Sequence, residues 1–263
     1  MKKKFGLALG GGGARGVAHI GVIKALEEEG LKPDFVSGCS MGSVVGACYA
    51  IGMSCEEMME KVSKLKTIKL VDLSAAPISR LAFLRGNKMQ KLISNEIGDI
   101  TFDKLKTPFS CIASDLYSGR LVHIREGSVA TAVCASSSVP VIFPPVKLQD
   151  KLLVDGGVLC RVPTEQVKEL GATKVIAVDV LINTGESVKK VKNMVSMVTR
   201  VFDMMDYNGS EMKKQILKSE NEFWIQPEMK GMSQYVVKDL ERAYMEGYET
   251  AKAKMPEIKA FLK

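Results

Sequence analysis

Short apolar runs alternate along the chain with longer amphipathic ones. Phe5–Leu9, Phe35–Gly38, Phe109–Ser114, Val175–Val180 and Glu222–Ile225 are short, mostly apolar and bounded by turn residues, which predicts strands. Helical spacing predicts helices over Val17–Glu29, Met41–Ile51, Cys55–Leu65, Lys88–Ile97, Pro163–Leu170 and Lys238–Lys254. Met41–Ile51 is apolar nearly all round, as befits a central helix. Leu240, Tyr244, Tyr248, Ala251 and Met255 form a stripe at helical spacing, read as core packing. Strand and helix in alternation imply an α/β fold, with a mostly parallel central sheet covered by helices on both faces. With 263 residues, 46% of them hydrophobic, and no linker or internal repeat, residues 1–263 are expected to form a single domain.

The most informative pentapeptide is Gly38-Cys39-Ser40-Met41-Gly42, set between a predicted strand and the apolar helix. A G-x-S-x-G sequence in strand–turn–helix context lifts a serine hydroxyl out of a tight turn. The two glycines let the backbone turn sharply and leave room for a substrate. Upstream, Gly10-Gly11-Gly12-Gly13-Ala14-Arg15-Gly16 joins the first strand to the first helix. Backbone N–H groups bared at a helix N-terminus attract negative charge. Two anions fit. One is a bound phosphate, since Gly11-x-Gly13-x-x-Gly16 matches a dinucleotide fingerprint and Asp34 lies close to its acidic position. The other is the oxyanion formed when a serine attacks an ester. A plain tight turn would read the same way.

Further along, Lys147-Leu148 and Leu152-Leu153-Val154 look like two short strands, the second running into Asp155-Gly156-Gly157. Two glycines after the aspartate leave its carboxylate in an open turn, although Asp-Gly turns are also common as plain structure. The only histidines are His19 and His123, and both precede Asp155. An α/β-hydrolase runs nucleophile, acid, histidine along the chain, so that order fails here with Asp155 as the acid. Both histidines read as structural, which leaves a carboxylate as the simplest base for Ser40.

Taken together, the glycine-rich loop, Gly-Cys-Ser-Met-Gly and Asp-Gly-Gly, in this order and at these separations, resemble the bacterial patatin-like phospholipase family. Pro108–Leu116, Ala135–Pro140 and Phe143-Pro144-Pro145 resemble further stretches of the family. The likeness covers nearly the whole chain and is weakest from about Glu186 to Ser219. The resemblance implies a three-layer α/β fold and a Ser–Asp dyad with Ser40 as nucleophile and Asp155 as general base. It also implies Gly11, Gly12 and Gly13 as the oxyanion hole and Arg15 as a basic, substrate-binding position. The implied substrate is a phospholipid, lysophospholipid or other fatty acyl ester, with no cofactor and no metal. The chain departs from the family at Cys160-Arg161, where an Asn-Pro pair is frequent, and at Cys39, where Thr is frequent. Two other classes stay open: a nucleotide-binding oxidoreductase that uses the glycine loop, and a catalytically idle lipid-binding protein.

Composition adds bounds. The six cysteines are scattered without C-x-x-C spacing and read as reduced thiols, mostly in apolar surroundings. Neither they nor the two histidines form a metal-site pattern. The apolar stretch after Met1–Lys4 is too short for a secretory signal, and no run approaches a bilayer span, so a cytoplasmic protein is expected. The net charge of +7 is spread along the chain without a nucleic-acid module, so no nucleic-acid partner is expected. Such charge would favour transient peripheral contact with an anionic inner-membrane surface. Ser74–Arg85, Ser136–Pro145 and the Met-rich Asn193–Tyr207 are the segments expected to frame a substrate entrance.

Overall fold

Hydrogen bonding along the predicted strands builds one mixed sheet. The computed structural model of the chain describes residues 4–65, 87–181, 191, 194–216, 219–232, 234 and 239–263. In chain order the elements are β1 (Phe5–Leu9), a 3-10 turn (Gly13–Val17), α1 (Ala18–Glu28), β2 (Phe35–Gly38), α2 (Met41–Ile51), α3 (Cys55–Leu65) and α4 (Asn87–Ile97). There follow β3 (Phe109–Asp115), β4 (Leu121–Ile124), α5 (Val129–Ser136), β5 (Val146–Leu148), β6 (Lys151–Asp155) and α6 (Thr164–Glu169). The remainder is β7 (Lys174–Val178), α7 (Met194–Ile216), β8 (Glu222–Ile225), α8 (Leu240–Ala253) and α9 (Met255–Leu262).

The strands connect in the order β5-β6-β3-β2-β1-β7-β8, with β4 also paired to β3. From β3 through β8 the pairs are parallel, while β4, β5 and β6 pair antiparallel. Side chains alternate between faces, as the two-residue period of a strand requires. Leu7, Leu9, Ile176 and Val178 enter the larger core with α1, α2, α5 and α8. Ala8, Val175 and Ala177 face Val162, Val167 and Ala172 on the opposite side, where α6 lies. With both faces covered, β1 and β3 are buried along their whole length, which is why they read as continuous apolar runs.

Register on β3 positions the site. β4 pairs with Cys111–Ser114 along one edge. The other edge is shared: β2 ends at Gly38 opposite Cys111, and β6, running the other way, ends at Asp155 opposite Ala113. The carboxyl ends of β2 and β6 therefore meet head-on across Ile112. A Cβ at Gly156 would lie 2.6 Å from the Ile112 carbonyl oxygen, so the chain leaving β6 can pass there only as glycine.

Several expectations shift in detail. The Pro163–Leu170 and Lys238–Lys254 helices are shorter than predicted, and the first helix begins after a 3-10 turn. The stripe on α8 is core: Leu240, Ala251 and Met255 are buried, with Tyr244 and Tyr248 packed against them. Ser74–Arg85 lies outside the described residues.

Candidate active site

The turn after β2 is a sharp elbow. Ser40 has φ 51 and ψ −124, a left-handed conformation that costs a serine strain and is held by its surroundings. A Cβ at Gly38 would lie 2.5 Å from the Gly42 carbonyl oxygen, and one at Gly42 would overlap the Leu9 carbonyl. The Ser40 carbonyl accepts hydrogen bonds from the Ser43 N–H at 2.8 Å and the Ser43 hydroxyl at 2.6 Å. Its own N–H donates to the Ser136 Oγ at 3.0 Å, tying the elbow to the end of α5. The hydroxyl thus stands at the N-terminus of α2, where the helix dipole favours negative charge.

Asp155 arrives from the opposing strand. Its N–H donates to the Ser138 carbonyl at 2.9 Å, and its Oδ1 accepts the Gly157 N–H at 2.8 Å. The Ser40 side chain is close enough to the same carboxyl group to lower its pKa. The Cys39 thiol lies 3.7 Å from Oδ1. Burial pushes the Asp155 carboxyl up from 3.8 to about 6, opposed by the bonds from Ser40 and Gly157; the Asp206 charge adds to the rise and Arg161 opposes it. Cys39 is itself raised well above the ordinary thiol range, by burial first and then by the Asp155 charge, so it remains a thiol. A neutral thiol is a poor nucleophile, which leaves the Ser40 hydroxyl as the other candidate group of the elbow.

The glycine loop borders this pair. Gly11 packs against Ser40, with a Cβ there 3.3 Å from the Ser40 Cβ. The Gly11 N–H, however, donates to the Arg161 carbonyl at 3.1 Å. Of the three glycines assigned to an oxyanion hole, only Gly12 and Gly13 have N–H groups without a hydrogen bond among the described residues. Gly13, at φ 53, could carry no side chain, because a Cβ would overlap the Gln234 carbonyl. Arg15 is buried, with Nη1 3.5 Å from the Val180 carbonyl. It stands beneath the loop rather than in an open pocket.

Neither histidine takes part in this arrangement. His19 Nε2 lies 2.7 Å from the Gly10 carbonyl, and burial lowers its pKa from 6.5 to about 4, so a neutral ring donates there. His123, on β4, pairs with Glu169 on α6 at 2.8 Å. Asp34 accepts the Phe5 N–H at 3.0 Å, at the start of β1, whereas the glycine loop follows the end of that strand. The acid of a dinucleotide fold would sit at the carboxyl end of β2. Among the described residues no group of three or more His, Cys, Asp or Glu side chains could hold a metal ion.

Two of the expected entrance segments adjoin the pair. Ser136 and Ser138 bond the elbow and Asp155, and Val141 in the same stretch has φ 72, an outlier for a β-branched residue. α7 lies against the Gly156–Val158 turn. Its outer side exposes Met194, Met197, Val201, Met204, Met205 and Met212, while Asp203 is buried and Asp206 reaches inward.

A strand–elbow–helix serine beside a buried carboxylate, under a glycine loop on a mixed α/β sheet, is the architecture of a serine acyl hydrolase. The chain belongs to the patatin-like phospholipase family, whose model matches residues 7–168. An uncharacterized NTE family protein of Mycobacterium tuberculosis is 35% identical over 177 residues, covering 66% of this chain and 48% of that protein. Lysophospholipase nte1 of Aspergillus fumigatus is 34% identical over 184 residues, covering 68% of this chain and 12% of that protein. The chain thus spans about half the length of the mycobacterial relative or less of the others. The VipD structure from Legionella pneumophila shares the fold, with a TM-score of 0.55 at 15% identity over 97% of this chain and 67% of that one.

The raised Asp155 carboxyl has a stability cost with a defined sign. The folded chain binds this proton more tightly than the unfolded chain, so the stability cost grows as pH rises from 3.8 to about 6 and is complete above that. Asp155→Asn should therefore raise the unfolding free energy at pH 8 by roughly 1–3 kcal/mol. The gain should vanish as pH falls through 6 to 4. Urea unfolding at both ends of that range checks it, and a gain independent of pH would contradict the assignment.

Proposed function

We propose that the protein is a lipid acyl hydrolase that cleaves carboxyl esters of phospholipids, lysophospholipids or other fatty acyl esters through a Ser40–Asp155 dyad and an acyl-enzyme. The observation that carries this reading is the strained Ser40 elbow beside the buried Asp155 carboxyl, whose pKa the serine side chain lowers, with both histidines engaged elsewhere. Ser40 Oγ attacks the ester carbonyl carbon as its proton passes to Asp155. The tetrahedral oxyanion is held by the Gly12 and Gly13 N–H groups, with Gly11 packed against Ser40 and Arg15 supporting the loop from beneath. Asp155 then returns the proton to the departing alkoxide, leaving an ester on Ser40. In the second half Asp155 takes a proton from water as its oxygen attacks the acyl carbon, then returns that proton to the departing Ser40 oxygen as the fatty acid is released. A carboxyl group near pH 6 suits both halves, because a group that must accept and return one proton works best close to the working pH.

The apolar outer side of α7, beside the Asp155 turn, supports entry of the substrate from a lipid surface. No helix among the described residues is long and apolar enough to cross a membrane, so the contact proposed is peripheral. The net charge of +7 favours an anionic surface over a neutral one.

Turnover of lysophospholipid and of a soluble acyl ester tests the chemistry. Ser40→Ala and Asp155→Asn should each lower kcat/KM by about 1000-fold or more, while His123→Gln leaves it nearly unchanged. Ester cleavage that survives Ser40→Ala would refute the dyad, and equal lipid binding without turnover in the parent would make the protein a lipid carrier. Co-sedimentation should favour anionic over neutral vesicles, with Met204→Asp and Met205→Asp weakening it; no preference and no loss would remove the surface contact.

A further inference from the structure

Arg161 has no part in the dyad, yet it touches every piece around it. Its carbonyl accepts the Gly11 N–H at 3.1 Å. Its side chain is buried, and Nη1 bonds the Asp206 carboxylate on α7. Nη2 lies 3.6 Å from where a Cβ on Gly12 would stand. Nε and Nη2 are buried without a hydrogen-bond partner among the described residues. A buried guanidinium with unused donors is costly and calls for an explanation.

We propose that Arg161 is a positioning residue. It holds the Gly11–Gly13 loop against Ser40 and fastens that loop through Asp206 to α7. The proposal rests on the Ser40–Asp155 reading. The carbonyl bond fixes Gly11, and the guanidinium behind Gly12 limits how far the loop can recede. The guanidinium's charge is shared by Asp206 and Asp179 and in this buried setting also reaches Asp155 and Cys39. The charged and titratable groups around Asp155 are Cys39 from the elbow, Cys160 and Arg161 from the loop after β6, and Asp203 and Asp206 from α7. Asp179 after β7 and His19 on α1 complete the set. Among these, Arg161 favours ionised Asp155 and Asp206 opposes it. The two members of the pair therefore push Asp155 in opposite directions.

The test is kcat/KM against pH for a soluble acyl ester, using the full chain as parent, Arg161→Met, Arg161→Lys, Asp206→Asn and the double variant Arg161→Met/Asp206→Asn. The acidic limb should move up in Arg161→Met and down in Asp206→Asn, by roughly half a pH unit or more each, and return towards the parent in the double variant. Arg161→Lys should keep the limb near the parent yet lose kcat, because an ammonium cannot span both Asp206 and the loop. Arg161→Met should also lower kcat by about 100-fold, the order expected for a loop displaced by about 1 Å, with KM little changed. Limbs that stay put, or that move the same way in both single variants, would overturn the proposal. Should Arg161→Met fail to fold, Asp206→Asn decides alone: an unmoved limb in that variant refutes it. Activity in Ser40→Ala or Asp155→Asn would instead refute the dyad reading, a distinct failure.

Discussion

Along one edge of β3, β2 and β6 lie end to end and run towards each other, and the site is what forms in the gap between them. Gly38 faces Cys111 and Asp155 faces Ala113, so one residue of β3 separates the two strand ends. The chain must leave both ends at once within that space. One exit is the elbow at Ser40, the other the turn at Gly156, and each depends on backbone approaching backbone without a side chain between. β1 is parallel to β2, and β7 to β1, so the glycine loop and the segment bearing Asp179 emerge on the same side. A serine hydroxyl, a carboxylate and bared N–H groups converge there as a consequence of register rather than of sequence proximity.

That convergence is held against opposing costs. Ser40 sits in a conformation that serine rarely adopts, and Asp155 is an acid buried where its charge is disfavoured. The Ser43, Ser136 and Ser138 bonds and the apolar packing of α2 offset these costs. In the proposed mechanism burial also strengthens the base: a carboxylate at its ordinary value is too weak to take a hydroxyl proton, and removal from water brings it nearer the working pH. The same burial keeps Cys39 protonated, so the thiol beside Asp155 does not compete with the serine. Strain and charge are concentrated at one point while the rest of the sheet is apolar and regular.

Much of this could be read from the chain because it is written locally. β1, β2, β8, α2 and α3 have the predicted ends, since turn glycines and a change in hydrophobic period mark each boundary. The glycine loop, the elbow and the Asp-Gly-Gly turn were legible for the same reason: glycine is needed where backbones cross. α5 was not read as a helix, because Val129–Ser136 is apolar or small throughout and shows no helical period. α9 was missed because Met255-Pro256 looks like a stop, whereas proline in the first turn of a helix is tolerated and starts a new one. α7 read as an entrance because of its methionines; its inward Asp203 and Asp206 find their partners only in the folded chain. Gly11 was read as an oxyanion donor, and only the fold shows its N–H taken by Arg161. Contacts such as Ser40 with Ser136 join residues far apart in sequence and leave no local signal.

The central claim is that Asp155 activates Ser40 directly. Labelling the folded protein with a serine-reactive fluorophosphonate and mapping the adduct by peptide mass spectrometry tests it most directly. The account predicts a single adduct on Ser40, formed much more slowly in Asp155→Asn and at an unchanged rate in His123→Gln. No adduct on folded protein, even with lipid micelles present, or an adduct on Ser40 whose rate ignores Asp155, would contradict it.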